Sequence, residues 1–132
     1  QLLCQRAVSR TAFGKPLAAF QNTQFKLADM RTQLDIAQCF VDQCVRSFNA
    51  GQLTAEDAAK AKLVTSELSI AAADLGVQLH GGAGYMDEYP ISRQYTDARI
   101  NTIYAGSSEV MKIIISRDCL SDNYVPFNTR NF

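Results

Sequence analysis

The sequence predicts an all-α protein, a single up-down four-helix bundle. Three observations predict it. Apolar residues recur at helical spacing through long segments, Gly and Pro gather between those segments, and no strand-like alternation persists beyond a few residues. The chain has 132 residues, 47% of them hydrophobic and 20% charged, which is globular rather than disordered composition for one ordinary domain.

The first helix is expected from Gln1 to about Thr11, ended by Phe13-Gly14-Lys15-Pro16. It carries apolar residues from its first turn with no N-cap before them, and so reads as the back half of a helix whose front half precedes Gln1. The second spans Gln21 to Asn49, with Leu34, Ala37, Phe40, Val41, Cys44, Val45 and Phe48 forming one stripe. At about 43 Å it outruns the roughly 36 Å sphere expected for this chain length, so the bundle is elongated or completed by a partner. Thr54 offers an N-cap with Asp57 three residues on, and an Ala-rich third helix follows from Ala55 to about Leu79. His80-Gly81-Gly82-Ala83-Gly84 stops it, and Pro90 starts a short helical piece. The last helix begins after Gly106, capped by Ser107 or Ser108, with Glu109 in its first turn. Val110, Met111, Ile113, Ile114 and Ile115 make it largely apolar. Residues 121–132 read as a polar tail.

Composition excludes several function classes. Lys+Arg and Asp+Glu balance at 13 each, which argues against nucleic acid as a partner. A single His argues against a His-rich metal site or a His-carboxylate di-iron bundle. No apolar run approaches the roughly 20 residues of a membrane span, and no signal-peptide pattern opens the chain. Cys4, Cys39, Cys44 and Cys119 form no CxxC and are expected to be small buried hydrophobes in a reducing compartment, a cytosol or mitochondrial matrix.

Three polar junctions interrupt the helices. Arg10-Thr11-Ala12-Phe13-Gly14-Lys15-Pro16 sets an Arg and an aromatic at a helix exit, where they could grip a phosphate and a planar ligand. The plainer account is a basic residue and a Gly stop at a helix C-terminus. Gln78-Leu79-His80-Gly81-Gly82-Ala83-Gly84-Tyr85 permits close backbone approach, yet lacks the preceding strand of a dinucleotide fingerprint. His80 by itself is more often a packed or capping His than a catalyst. Gly106-Ser107-Ser108-Glu109 opens an apolar helix, whose free N–H groups receive an oxygen or are simply capped by Ser.

Taken in order, these junctions resemble the C-terminal domain of the acyl-CoA dehydrogenase family of flavoproteins. The stretches that carry the resemblance are Arg10–Pro16, Gln21 with Leu27-Ala28-Asp29-Met30, Ala59–Leu63 with Ser66-Glu67, Gln78–Tyr85 with Glu88-Tyr89-Pro90, Asp97–Ile100 and Ile103–Val110. They cover Gln1 to about Leu120, so residues 1–120 form the domain and 121–132 the tail. The resemblance implies α,β-dehydrogenation of an acyl-CoA thioester. A carboxylate takes the α proton, a hydride passes to the N5 of FAD, and an electron-transferring flavoprotein accepts the electrons. It implies a homotetramer, a dimer of dimers, in a bacterial cytoplasm or mitochondrial matrix and not secreted.

By the same resemblance Arg10 and Phe13 reach the FAD of a neighbouring subunit, Arg10 at its diphosphate. Gln78, Gly81 and Gly82 form the turn at its adenine side, and Gln21 joins this cofactor-binding set. Ser107 and Glu109 touch the subunit's own FAD, while Tyr104 and Gly106 wall the thioester. Many relatives place the catalytic Glu where this sequence has Ala105, which cannot abstract a proton. The resemblance is therefore nearest to the long-chain and isovaleryl branch, whose Glu lies on an earlier helix, upstream of Gln1. No catalytic residue is expected in this chain. Two other readings stand beside it: a non-catalytic helical oligomerisation module derived from the family, and an acyl-CoA oxidase, which would react with dioxygen.

Overall fold

The computed structural model describes residues 1–124. Its α-helices are α1 (Leu2–Ser9), α2 (Gln21–Asn49), α3 (Ala55–His80), α4 (Pro90–Arg99) and α5 (Ser108–Cys119). The expected boundaries of the second, third and last helices hold to within a residue or two, and Pro90 occupies the first turn of α4. The expected polar tail lies outside the described residues from position 125 onward.

The first helix is shorter than its sequence reading. It ends at Ser9, because Arg10 turns to extended backbone (φ −86°, ψ 125°). Thr11–Ala12 then pairs antiparallel with Lys15–Pro16, in the register Thr11↔Pro16 and Ala12↔Lys15. Phe13 (φ 51°) and Gly14 (φ 78°) make the two-residue turn. Two consecutive positive φ values match the right-handed twist of a tight hairpin. Four paired residues carry no alternation a reader of sequence could detect.

α3 is the central element, packing against α1, α2, α4 and α5. Its N-terminus is secured as its sequence implies, with the Thr54 hydroxyl accepting from the Asp57 amide at 3.1 Å. Its small residues let neighbours come close: Ala59 and Ala73 are buried, and a Cβ at Gly76 would lie 2.4 Å from Ile91 Cδ1. Ile91, 1% exposed, is the one large side chain among the described residues that is fully enclosed. The rest of the interior is mostly Ala7, Ala37, Cys44, Leu68, Ala98 and Met111. The core is thin, and an open groove of about 970 Å³ runs between α1, α2, α3 and α4, lined by Leu3, Met30, Leu34, Val41 and Ile91 among others.

The cysteine expectation needs correction. Only Cys44 is buried; Cys4, Cys39 and Cys119 are exposed, and all four are free thiols. Cys39 lies two residues from buried Ala37, about 200° around α2, and so faces away from α3. The apolar stripe of α2 is likewise only partly covered: Ala37 and Cys44 are buried, while Leu34, Val45 and Phe48 are exposed. No helix among the described residues is long and apolar enough to cross a membrane.

Candidate functional site

The fold joins the first two junctions, which are almost 70 residues apart in sequence. α1 leaves its C-terminus beside that of α3, and Arg10, Gln78, Gly81 and Gly82 line one cleft of about 440 Å³ together with Arg6, His80 and Tyr89. The contact is direct, for Arg6 Nη2 donates to the His80 carbonyl at 3.1 Å. A helix C-terminus concentrates partial negative charge, so a guanidinium is favoured there. His80 fits the packed and capping role. Its Nδ1 lies 2.7 Å from the Gly76 carbonyl, and its ring meets Tyr89 edge-on at 6.3 Å.

The glycines of this turn differ in what requires them. A Cβ at Gly84 would stand 2.7 Å from the Val77 carbonyl oxygen, so packing within the chain demands glycine there. A Cβ at Gly82 would meet nothing within 4 Å, and its φ is not in the left-handed region. Nothing among the described residues requires glycine at position 82. The open backbone at this position faces a cleft whose described lining includes two arginines and no carboxylate.

Phe13 and Gln21 lie beyond the lining of that cleft. Phe13 is 96% exposed at the hairpin tip, edge-on to Phe20 at 6.4 Å, while Lys15 Nζ sits 4.3 Å over the Phe20 ring. A bare aromatic in a positive-φ position is presented outward. Gln21 is exposed at the first position of α2.

The third junction forms a second, separate group. Lys62 and Gln78 are 16 residues apart on α3, about 24 Å along its axis, and the 104–109 turn is tied to the Lys62 end. Lys62 Nζ donates to the Gly106 carbonyl at 2.5 Å. Ala105 (φ 53°) and Gly106 (φ 95°) make the turn, and a Cβ at Gly106 would lie 2.5 Å from Met111 Cε. Tyr104 Oη donates to Asn101 Oδ1 at 3.0 Å. Ser107 accepts from the Val110 amide at 3.5 Å, a long cap. The Glu109 carboxyl is held below the usual carboxylate range, first by the Ser107 hydroxyl, then by its own backbone amide, with Lys112 and Lys62 assisting. The turn is therefore a shaped backbone with an ionised carboxylate beside it, and Ala105 contributes no acid or base.

Arg6 and Lys62 were not among the expected site residues. Arg6 was detectable as the i−4 partner of Arg10. Lys62 was not, since its partner lies 44 residues away. No cluster of three or more His, Cys, Asp or Glu suited to a metal occurs among the described residues.

Comparison with known proteins places the chain in a family. The family described as acyl-CoA dehydrogenase, C-terminal domain, matches residues 1–120. The long-chain specific acyl-CoA dehydrogenase of Rattus norvegicus mitochondria is 45% identical over 114 residues, 86% of this chain and 26% of that protein. An acyl-CoA dehydrogenase from Geobacillus kaustophilus superposes with a TM-score of 0.88 at 41% identity, over 91% of this chain and 32% of that one. Butyryl-CoA dehydrogenase from Megasphaera elsdenii superposes with a TM-score of 0.87 at 37% identity, over 91% and 31%. The chain thus spans about a quarter to a third of the length of these relatives. It belongs to the acyl-CoA dehydrogenase family, as that family's C-terminal helical domain.

Proposed function

We propose that these 132 residues serve, within a longer FAD-dependent acyl-CoA dehydrogenase, to hold cofactor and to build subunit contacts. The observation that carries this reading is the cleft that brings Arg10 to Gln78, Gly81 and Gly82 from two distant junctions. The residues fit the group: a permanently charged guanidinium suits a diphosphate, and the backbone at Gly82 is left open for a close neighbour. In this reading Phe13 and Gln21 complete the same cofactor's surroundings, Ser107 and Glu109 face the subunit's own FAD, and Tyr104 and Gly106 border the thioester. When bound, FAD supplies the hydride acceptor.

The chain's own residues position and enclose. Lys62 fixes the Gly106 carbonyl, and hence the backbone beside Tyr104. With alanine at position 105 the α proton is removed by a carboxylate outside these residues, as the likeness to long-chain relatives supports. An electron-transferring flavoprotein as acceptor, a homotetramer, and a bacterial cytoplasm or mitochondrial matrix as location belong to the same reading.

The test is a chimera in which this chain replaces the C-terminal domain of the rat long-chain enzyme. It should purify with FAD that acyl-CoA bleaches, and Arg10→Gln should lower its flavin content by about ten-fold, the scale of one charge-assisted hydrogen bond. The isolated chain should hold little flavin. Stoichiometric flavin and acyl-CoA oxidation by the 132 residues alone would overturn the proposal.

A further inference from the structure

We infer that Arg6 is a second anion-binding residue of the α1–α3 cleft, making it a two-arginine seat for a diphosphate group. This rests on reading the cleft as a phosphate site, and deepens that reading by a residue outside the family motif quoted above.

Arg6 and Arg10 are four positions apart, the Arg10 amide just past α1 donates to the Arg6 carbonyl at 2.9 Å, and both residues line the cleft. A guanidinium offers five N–H donors in a fixed fork and keeps its charge at any ordinary pH. In Arg6, Nη2 is engaged by the His80 carbonyl, while Nε is buried and donates to no described residue. Nε has no exposed surface, so what the side chain offers to a ligand is Nη1, which is not enclosed and which no described residue engages. The Arg6–His80 bond also anchors the turn that carries Gly81 and Gly82.

No carboxylate occurs in the described lining, so neither guanidinium is neutralised inside the cleft. One arginine suffices for a monoanion. Two, beside a glycine turn with an open backbone, match a group with two phosphorus centres, whose oxygens can engage both forks.

The experiment titrates inorganic pyrophosphate, and separately orthophosphate, into the 132-residue chain while following the Gly81 and Gly82 amides by NMR. Pyrophosphate should shift them saturably and bind more tightly than orthophosphate. Arg6→Gln, which keeps a donor for the His80 carbonyl, should weaken pyrophosphate about ten-fold or more, as should Arg10→Gln. Arg6→Lys, which keeps charge without the fork, should fall between. Circular dichroism melts confirm folding, and Arg6→Lys carries the test if Arg6→Gln unfolds. Absence of saturable pyrophosphate binding, or unchanged binding in a folded Arg6→Gln chain, overturns the inference and leaves Arg6 a clamp on α3. Competition by ADP separates the two readings. Pyrophosphate binding that needs Arg6 but ignores ADP keeps this inference and removes the flavin reading. ADP binding that needs Arg10 and ignores Arg6 does the reverse.

Discussion

At the scale of single residues, the glycine turn separates structural demands from functional ones. Gly84→Ala drives a Cβ against the Val77 backbone and should cost about 1–3 kcal/mol in urea unfolding, the usual range for overpacking. Gly82→Ala meets no such obstacle and should leave stability within about 1 kcal/mol, while lowering flavin content in the chimera. Equal losses of stability in the two variants would remove the argument that Gly82 is kept for a neighbour. Glu109 gives a prediction about pH. Its carboxyl is depressed chiefly by the Ser107 hydroxyl, so the folded state favours the ionised form. That stabilisation is present above the unfolded-state pKa and is lost as pH falls through the lower folded value, on the acid side. Ser107→Ala should move the Glu109 titration upward toward the ordinary range, as read by carbon NMR of the carboxyl. An unmoved titration would mean that the hydroxyl is not its donor. Cys44 behaves oppositely: burial, then the charge of Asp57, raises its thiol. Iodoacetamide should therefore modify it last among the four cysteines, as peptide mapping would show.

At the scale of elements, what could be read from sequence and what could not follow one division. Long helices declare themselves because many residues repeat the same signal, and α2 and α3 lie where their stripes and breakers place them. The 11–16 hairpin stays hidden because its pairing is made by four residues and a turn. Candidate site residues were legible as types at junctions, Arg10 and the Gly81-Gly82 pair among them, because unusual residues between strong helices need a reason. Their meeting in one cleft was not legible, since it depends on how α1 packs against α3. The same packing hides Arg6 and Lys62, whose backbone partners lie 74 and 44 residues away. Lys62 yields a further test. Lys62→Met removes the donor that fixes the Gly106 carbonyl and leaves the turn to its own strained backbone, with Ala105 and Gly106 both at positive φ. In the chimera this should raise KM for acyl-CoA more than it changes FAD content. Loss of FAD with unchanged KM would place the role of Lys62 elsewhere.

For the whole molecule, the thin core and the apolar exterior are one fact. Ile91 is the single large enclosed side chain among the described residues, whereas Ile36 on α2 is 66% exposed and Ile113 on α5 is 49% exposed. An apolar helix face belongs against a partner, and α5 buries only Ser108 and Met111 while Val110 and Ile113 stay exposed. Zero net charge does nothing to keep copies apart. Self-association through these faces is the subunit-contact half of the proposed function. Sedimentation velocity should show species heavier than the 14.6 kDa chain that grow with concentration. Ile36→Glu and Ile113→Glu each place a carboxylate on one of the two faces, and burying it unpaired costs more than the roughly 1.4 kcal/mol that separates affinities by ten-fold. Each substitution should therefore weaken association at least about ten-fold at its own face, with the helical circular dichroism spectrum unchanged because both sites are solvent-facing in the single chain. A wild-type chain that stays monomeric at every concentration would show that these faces meet other parts of the longer enzyme instead of copies of this domain.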